Sequence, residues 1–407
     1  MPLTSLAAQL KKLETPQTSL LFHKKTRPSF LFDAKEAAEF DRDTFYDLGL
    51  SGLEELKKLN PRFSDFEDTL FDITSKSFER AVETQETNKK LDSRIREFLA
   101  LLSPYFLLRS AHKALEWLIH RYHVEQYNVA DLLCLGLPYH ETNTFGRLLG
   151  LLEIGDNDPA WLWLVPVRRA SVPLSKTALL NRAATDMAFF RFVANMPDNA
   201  IKIHGKSASS LGTLFCFYCT TLLGALEYSS RVTELHVSHL LPSIMAALAD
   251  RNLPDYTASA YIILARLMTK IQLAEKVVHG LYNKISKVEH AKLCSESVLM
   301  LVLMTQNDSS RASLPERAVK RIATVTSSPN GGWFVPTLVT LVETSVGLVV
   351  TPLVCGLLRT VLKMVQSGTD NLEELKRFVH DLLLGDLRFD DEDFEQVFRL
   401  VHALCLY

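Results

Sequence analysis

The 407-residue sequence predicts an all-α protein, an α-solenoid built from stacked helical hairpins. Segments with apolar residues three and four positions apart recur along most of the chain, and each needs a neighbour to cover its apolar side. Alternation with period two, the mark of a half-buried strand, does not continue beyond four or five residues. The chain is also too long to fold around one compact hydrophobic core, whereas a solenoid grows by adding units that pack only on the next unit.

The clearest predicted helix runs from Ser103 to Asn128, with Ser103 as its cap and Pro104 in its first turn. Its apolar stripe is formed by Leu108, Ala111, Leu115, Leu118 and Tyr122. The residues expected on the opposite face are Arg109, Lys113, Glu116 and His120. The rest of the chain is expected to supply the helices that cover this stripe.

The amino-terminal hundred residues predict several shorter helices. Residues 1–14 form an amphipathic segment broken by charges, which is unlike a signal peptide, and a basic cluster follows at 23–27. Asp33 and Glu36 have the spacing of a capping box and predict a helix that leads towards Gly49. A second helix is expected after Gly52, ending at Asn60 and Pro61, and further helices are expected over 63–88 and 91–102.

The middle of the chain predicts a hairpin over 129–152 with its corner at Pro138. Prolines at 159, 166 and 173 then predict an extended excursion that ends where Ser175 caps a new helix. Helices are expected over 175–196 and 208–229, with a polar loop between them around 199–207.

The last part of the chain has the most regular pattern. The segment from Leu235 to Lys270 predicts two helices joined by a short turn, typical of a HEAT-type repeat. Hairpins over 275–306 and 316–350 follow at a loose spacing of about forty residues, so the repeats are degenerate. A final pair is expected over 371–384 and 391–406, with acidic residues at the start of the last helix. We therefore predict three regions: 1–230, 231–365, and a trailing pair at 366–407.

Composition favours a globular protein with protein partners. The formal net charge is -2 and the pI about 6.6, so direct binding of RNA or DNA would need a local basic patch. The six cysteines are scattered through apolar helical runs, which indicates buried thiols in a reducing compartment. The uncharged run between Glu343 and Arg359 contains Pro352 and Gly356 and is too short to span a bilayer.

Motifs for chemistry are incomplete. The pairs His120/His123, His236/His239 and Cys216/Cys219 would each give a metal only two ligands, and the two cysteines are expected in the core. The sequence around Lys206 lacks the first glycine of a phosphate-binding loop, because Ala200 occupies that position. No serine or cysteine lies in a nucleophile motif. The sequence therefore predicts no enzyme, no cofactor and no small-molecule substrate.

Candidate partner contacts remain. Three tryptophans that could anchor an interface, or fill gaps between helices, are Trp117, Trp161 and Trp163. Charged or polar residues on helix edges or at a helix start complete the set: Lys35, Glu36, Arg42, Arg109, Arg121, His140 and Glu141.

Three pieces of the sequence, taken in order, resemble one family. They are Leu31–Leu56, the stretch from Leu102 to Asn128 with the following LPYHET, and the hairpin Leu240–Lys270. Together they are similar to the amino-terminal region of the very large HEAT-repeat nucleolar proteins associated with the U3 small nucleolar RNA. The resemblance extends over most of the chain, although the basic cluster near residue 25 departs from the family pattern. Members of that family are several times longer, so we expect this chain, which stops at Tyr407, to be a fragment or an incomplete product.

The resemblance implies a scaffold in the small-subunit processome, located in the nucleus and nucleolus. It implies a role in early pre-rRNA processing on the 18S pathway, linked to transcription by RNA polymerase I. Its partners would be protein subunits of the processome, with contacts to pre-rRNA and the U3 particle indirect and no membrane involved. The alternative from the pattern alone is a helical-repeat transport or trafficking adaptor, which would be expected to carry regularly spaced groove tryptophans; only four tryptophans exist.

Overall fold

The computed structural model describes residues 27–155, 159–170, 172–249, 252–287, 293–307, 313–326, 332–345, 347–368, 372–387 and 389–406. Regular structure in these residues is helical throughout, and none of them lies in a β-strand. The prediction of an all-α fold is confirmed. The predicted amino-terminal helix and most of the basic cluster at 23–27 lie outside the described residues.

The chain divides into two compact units, Met1–Leu174 (unit 1) and Ser175–Tyr407 (unit 2). The α-helices of unit 1 are α1 Arg42–Leu59, α2 Gln85–Leu102, α3 Arg109–Tyr122, α4 Val124–Tyr127, α5 Val129–Gly136, α6 Asn143–Leu151 and α7 Val165–Ala170. Its 3₁₀ helices are Pro61–Phe66, Ile73–Ser77, Ser103–Tyr105, Leu137–Tyr139 and Pro159–Leu164.

Several predicted helix boundaries in unit 1 were wrong. Residues 63–84 form 3₁₀ helices and turns, because their aromatic side chains pack individually under α2 instead of along one helical stripe, and residues 85–88 already belong to α2. The helix expected from Asp33 is a series of turns, and the chain becomes helical only where the Asp41 side chain accepts from Thr44 N. The helix expected to begin at Ser103 begins at Arg109, and it ends where His123 adopts a left-handed conformation with φ 50°. The proline-rich excursion, expected to be extended, contains a 3₁₀ helix and α7.

A single helix, α1, replaces the two helices that Gly49 and Gly52 were expected to separate. Both glycines lie where α1 crosses α3. A Cβ atom on Gly49 would lie 2.4 Å from Trp117 Cβ, and one on Gly52 would lie 2.6 Å from the carbonyl oxygen of Ser110. The glycines therefore permit close approach of two helix backbones, which is why they are tolerated inside a helix.

Unit 2 is built from successive hairpins. Its α-helices are α8 Lys176–Thr185, α9 Met187–His204, α10 Gly212–Tyr228, α11 Glu234–Ala247, α12 Pro254–Lys270, α13 Glu275–Ile285, α14 Cys294–Asn307, α15 Glu316–Thr326, α16 Phe334–Thr344, α17 Thr351–Gln366, α18 Leu372–Leu384 and α19 Asp391–Cys405. The loop expected at 199–207 is instead the end of α9 and part of a 3₁₀ helix, Gly205–Leu211. The Ser175 side chain accepts from Ala178 N, which confirms it as a helix cap.

Two rows of helices run through unit 2. Helices α8, α10, α12 and α14 pack side by side in one row, which continues through α17 to α19. In the second row α9 packs on α11, and α13, α15 and α18 pack in sequence further along. The predicted hairpin from Leu235 to Lys270 is confirmed as α11 and α12. This arrangement is the one expected of an α-solenoid.

The units do not divide where the sequence was expected to divide. Both predicted boundaries, after residues 230 and 365, fall inside unit 2, and α9 packs on α11 across the first of them. The observed division follows the proline-rich excursion, which ends at Leu174.

One helical segment of unit 2 is both long and strongly apolar. Ala208–Tyr228 is long and apolar enough to cross a bilayer, whereas the sequence pattern drew attention only to the shorter run near Pro352. Somewhat more than half of it is buried, and α10 within it packs on α8, α9 and α12. Burial on several sides by other helices explains its composition as that of a core helix.

Candidate functional site

Trp117 was a candidate interface anchor, but it belongs to the core of unit 1. Its side chain is 1% exposed, and its indole N–H donates to the carbonyl oxygen of Leu70 at 2.9 Å. Tyr122 donates its hydroxyl to the same oxygen at 2.9 Å. Burial raises the pKa of Tyr122 to about 12. Trp117 therefore stabilises the fold and is not accessible to a partner.

Two predicted contact residues, Arg42 and Arg121, are brought together by the fold. Both donate to the carbonyl oxygen of Lys76, Arg42 at 2.7 Å and Arg121 at 3.1 Å. Both also pair with the carboxylate of Glu79, at 3.4 Å and 3.0 Å. Arg121 is buried and further donates to the carbonyl oxygen of Phe78. This arrangement fixes the segment after Ile73–Ser77 against α1 and α3, so Arg121 is a structural residue.

His140, expected at a surface, is buried and holds the end of the proline-rich excursion. Its Nδ1 lies 2.8 Å from the carbonyl oxygen of Leu174, and its own carbonyl oxygen accepts from Leu174 N at 3.0 Å. Trp161 in the same excursion is buried and Trp163 half-buried, as gap-filling residues would be. The remaining candidates, Lys35, Glu36, Arg109 and Glu141, are exposed.

One polar residue of unit 1 has a position that the sequence pattern did not predict. Glu116, expected on the solvent side of α3, is completely buried. Its carboxylate accepts from Ser29 Oγ, from Phe30 N at 2.8 Å and from Leu31 N at 3.0 Å, and it lies 3.0 Å from His120 Nε2. These hydrogen bonds offset the free-energy cost of removing the carboxylate from water, and they hold residues 29–31 against α3. Nothing in the local sequence signals this role, because the partners lie more than 80 positions away.

A corner geometry recurs 34 positions apart in unit 1. The 3₁₀ helices Ser103–Tyr105 and Leu137–Tyr139 each contain Pro-Tyr and each lead into a helix that begins six positions after the 3₁₀ helix begins. The backbone bonds match: Leu108 N donates to Tyr105 O, and Thr142 N donates to Tyr139 O. This corner was not recognised as a repeat, although the two Pro-Tyr pairs were its visible sign.

The two corners lie against each other. The rings of Phe106 and Tyr139 are 5.3 Å apart, and the Tyr139 hydroxyl donates to the carbonyl oxygen of Ser103 at 2.8 Å. The first corner leaves two leucines exposed, by 49% and 43%, followed by an exposed arginine, and the second leaves a glutamate exposed. We define the corner surface by these residues: Leu107, Leu108, Arg109 and Glu141. It combines apolar area with unpaired charges of both signs, as protein interfaces do.

The last helix of unit 2 is weakly covered. In α19 Val397 is buried, whereas Phe394 and Phe398 are more than half exposed and their rings stack 6.3 Å apart. Asp390 caps the helix by accepting from Asp393 N, and the acidic first turn follows the prediction for this helix. Its packing partner is α17.

The candidate metal pairs have other roles or no common site. His120 bonds to Glu116, and His236 lies 2.9 Å from Thr233 Oγ1. Cys219 is buried, and burial raises the pKa of its thiol to about 11, but Cys216 is exposed and not a core residue as expected. Within the described ranges, no three His, Cys, Asp or Glu side chains are grouped to hold a metal ion.

The stacked helical hairpins define the class of this chain as an α-helical repeat protein. Residues 236–361 match the family model described as U3 small nucleolar RNA-associated protein 10. The HEAT repeat-containing protein 1 homolog of Drosophila melanogaster is 38% identical over 93% of this chain and 18% of that protein. HEAT repeat-containing protein 1 of Homo sapiens is 38% identical over 75% of this chain and 14% of that protein.

A fungal relative carries the other family name. U3 small nucleolar RNA-associated protein 10 of Aspergillus oryzae is 30% identical over 78% of this chain and 18% of that protein. The chain therefore belongs to this family of HEAT-repeat, U3 small nucleolar RNA-associated proteins, and it matches their amino-terminal region. It spans less than a fifth of the length of these relatives. None of the family names describes an enzyme.

Proposed function

We propose that this chain is a non-catalytic scaffold of the small-subunit processome, acting in early pre-rRNA processing on the 18S pathway. The observation that carries the proposal is the 38% identity to the fly relative over 93% of the chain. The name of the Aspergillus oryzae relative associates that protein with the U3 small nucleolar RNA. On this proposal the chain acts in the nucleolus, with a link to transcription by RNA polymerase I.

The corner surface is the proposed docking site for a protein partner. Leu107 and Leu108 call for an apolar side chain to cover them, because about half of each is in contact with water. Arg109 and Glu141 have no ion-pair partner within the described residues, so an acidic and a basic side chain on the partner would complement them. A protein segment with this pattern is therefore the expected occupant. The other exposed candidates, Lys35 and Glu36, are proposed as peripheral contacts.

Affinity purification of the tagged chain from growing cells, followed by identification of bound proteins, tests the proposal. We expect subunits of the small-subunit processome to be enriched over an untagged control. The double variant Leu107→Asp, Arg109→Glu is expected to lose at least one of them by about tenfold, since interface centres lose roughly 1–4 kcal/mol per truncated anchor. The matched control is Ile73→Asp, which changes another exposed apolar residue of unit 1.

One outcome would contradict the proposed function, and another would contradict the proposed docking site. Enrichment of transport receptors or cargo, with no ribosome-assembly protein, would favour the adaptor class instead. Equal recovery of processome subunits with the corner variant and the control would leave the function standing and reject the corner surface as the docking site.

A further inference from the structure

Three neighbouring helices of unit 2 carry their basic residues on one side. Helices α13, α15 and α18 bury apolar stripes, and their lysines and arginines lie mainly on the opposite side of each helix. We define the basic face by six cations, of which Lys287 lies just beyond the end of α13: Lys276, Lys284, Lys287, Arg317, Lys320 and Arg377. Lys276 lies in the first turn of α13, Arg317 and Lys320 lie on α15, and Arg377 lies on α18. All six cations except Lys284 are exposed.

Hydrogen bonds fix the three helices side by side. Arg321 Nη1 donates to the carbonyl oxygen of Asn283 at 2.7 Å, which ties α15 to α13. Thr324 Oγ1 donates to Glu374 Oε2 at 3.1 Å, which ties α15 to α18. Packed helices have axes about 8–10 Å apart, so the cations extend across roughly 20 Å. The basic face is thus a continuous surface and not three separate ones.

The cations of the basic face lack acidic partners. The acidic residues of these helices lie mostly in first turns, where Glu275 pairs with His279 and Glu373 with Lys376, each at 3.7 Å. Asp381 lies 3.8 Å from His380. None of the six cations is within ion-pair distance of a carboxylate in the part of the chain that the structure describes. A surface of unpaired cations attracts a polyanion. The net charge of -2 for the whole chain does not reveal this local positive surface.

The composition of the basic face favours phosphates over a folded protein. The described side chains of α13 and α15 include no exposed large hydrophobic residue of the kind that anchors protein interfaces, and on α18 the exposed ones, Leu383 and Leu384, lie at its last two positions. Four of the six cations are lysines, which act on phosphates as point charges and carry little base specificity. Exposed aromatic rings on which bases could stack are likewise missing from the described parts of α13 and α15.

We propose that the basic face binds the sugar-phosphate backbone of RNA without regard to sequence. The choice of RNA over DNA rests on the proposed function, whereas the site itself rests on the charges. Contact with RNA is then direct, contrary to the expectation from net charge alone. Non-specific binding of this kind has dissociation constants of about 1–100 µM at physiological salt.

Fluorescence anisotropy with the full chain tests the proposal. The probes are two labelled 20-nucleotide single-stranded RNAs of unrelated sequence. We expect equal affinity for both, and a loss of roughly 100-fold between 50 and 200 mM salt if five phosphates are neutralised. The triple variant Lys276→Glu, Arg317→Glu, Arg377→Glu should weaken binding about tenfold or more and lower the salt slope by about 2.

Matched controls separate the basic face from general charge. Reversal of three exposed cations elsewhere in unit 2, Lys176→Glu, Arg191→Glu and Lys270→Glu, changes net charge equally and should retain most of the affinity. A neutral version of the test variant, with glutamine at the same three positions, keeps the result interpretable if charge reversal unfolds the chain. Circular dichroism melting checks that each variant is folded.

The outcomes have distinct meanings. Equal weakening by the test and control variants, affinity independent of salt, or no binding at 50 mM salt would each overturn the proposal. A poly-glutamate peptide that binds as tightly as RNA and displaces it would assign the face to an acidic protein segment instead. RNA binding through the basic face with no processome proteins captured would reject the proposed function and leave this inference standing. Capture of processome proteins without RNA binding through the basic face would reject this inference and leave the proposed function standing.

Discussion

Units 1 and 2 are both helical, but different kinds of contact stabilise the interior of each unit. Unit 1 depends on a few contacts between distant positions: Trp117 to Leu70, Glu116 to residues 29–31, and the glycines of α1 against α3. Unit 2 depends on apolar stripes that each helix shares with its neighbours in two rows. Loss of one contact should therefore open unit 1 broadly, whereas in unit 2 the effect should stay near the altered hairpin. Hydrogen-exchange mass spectrometry on the full chain measures this for each unit.

The largest effect is expected for Trp117→Ala. Removing this buried side chain should cost about 3–5 kcal/mol in the free energy of unfolding, and it also leaves the Leu70 carbonyl with one donor fewer. Exchange should accelerate throughout the described part of unit 1. The matched variant in unit 2 is Leu264→Ala, at a side chain that is also fully buried, with a cost of about 2–5 kcal/mol. Acceleration across all of unit 2 by Leu264→Ala would break the comparison.

Glu116→Ala should come next. It removes the acceptor of two backbone N–H groups, and each buried donor left without a partner costs about 1–3 kcal/mol. Exchange of Phe30 and Leu31 should become fast, and Glu116→Gln should fall between this variant and the unmodified chain. Glu141→Ala is the control, because this exposed carboxylate should change stability by less than about 0.5 kcal/mol. Unchanged protection of residues 29–31 would show that Glu116 does not fasten them.

Gly52→Ala tests the close approach of α1 and α3. In an open helix this change stabilises by up to about 1 kcal/mol, but here the new methyl group meets backbone atoms of α3. Overpacking should cost about 1–3 kcal/mol, measured by chemical denaturation. Gly150→Ala is the control, since nothing lies within 4 Å of its added Cβ, and it should stabilise α6 slightly. Stabilisation by both variants would mean that the two helices can separate without cost.

The smallest effect is expected for Asp390→Ala in unit 2. Loss of this cap should destabilise α19 by about 1 kcal/mol, and the faster exchange should be confined to that helix. Asp391→Ala, which leaves the cap intact and removes one first-turn charge, should have roughly half that effect. Acceleration that spreads through α17 to α14 would show cooperativity that the local packing of unit 2 does not predict.

The sequence was most informative where helices pack only on their neighbours. The hairpin of α11 and α12 and the final pair of helices both followed from apolar spacing and caps. Period alone was misleading over 63–88, where Phe66 and Leu70 are buried but Ile73, one turn on, is 67% exposed. Tertiary packing there overrides local preference.

The candidate site was predicted less well than the fold. Arg109 and Glu141 are exposed and lie on neighbouring corners, but Trp117, Arg121 and His140 serve packing. Residue type does not distinguish a tryptophan that anchors a partner from one that fills a core. Glycine was equally ambiguous. Two glycines three positions apart suggest a turn, but Gly49 and Gly52 lie inside a helix, where they allow it to cross α3 closely.

The two Pro-Tyr corners share one backbone path but expose side chains of different chemical character. Their shape depends on proline, tyrosine and main-chain bonds, whereas the second residue after each tyrosine is exposed in both corners and can differ without changing that shape. Phe106-Leu107-Leu108 follows one tyrosine and His140-Glu141-Thr142 the other. A substitution at the exposed position of one corner can therefore change what that corner contacts while the path of the chain stays the same.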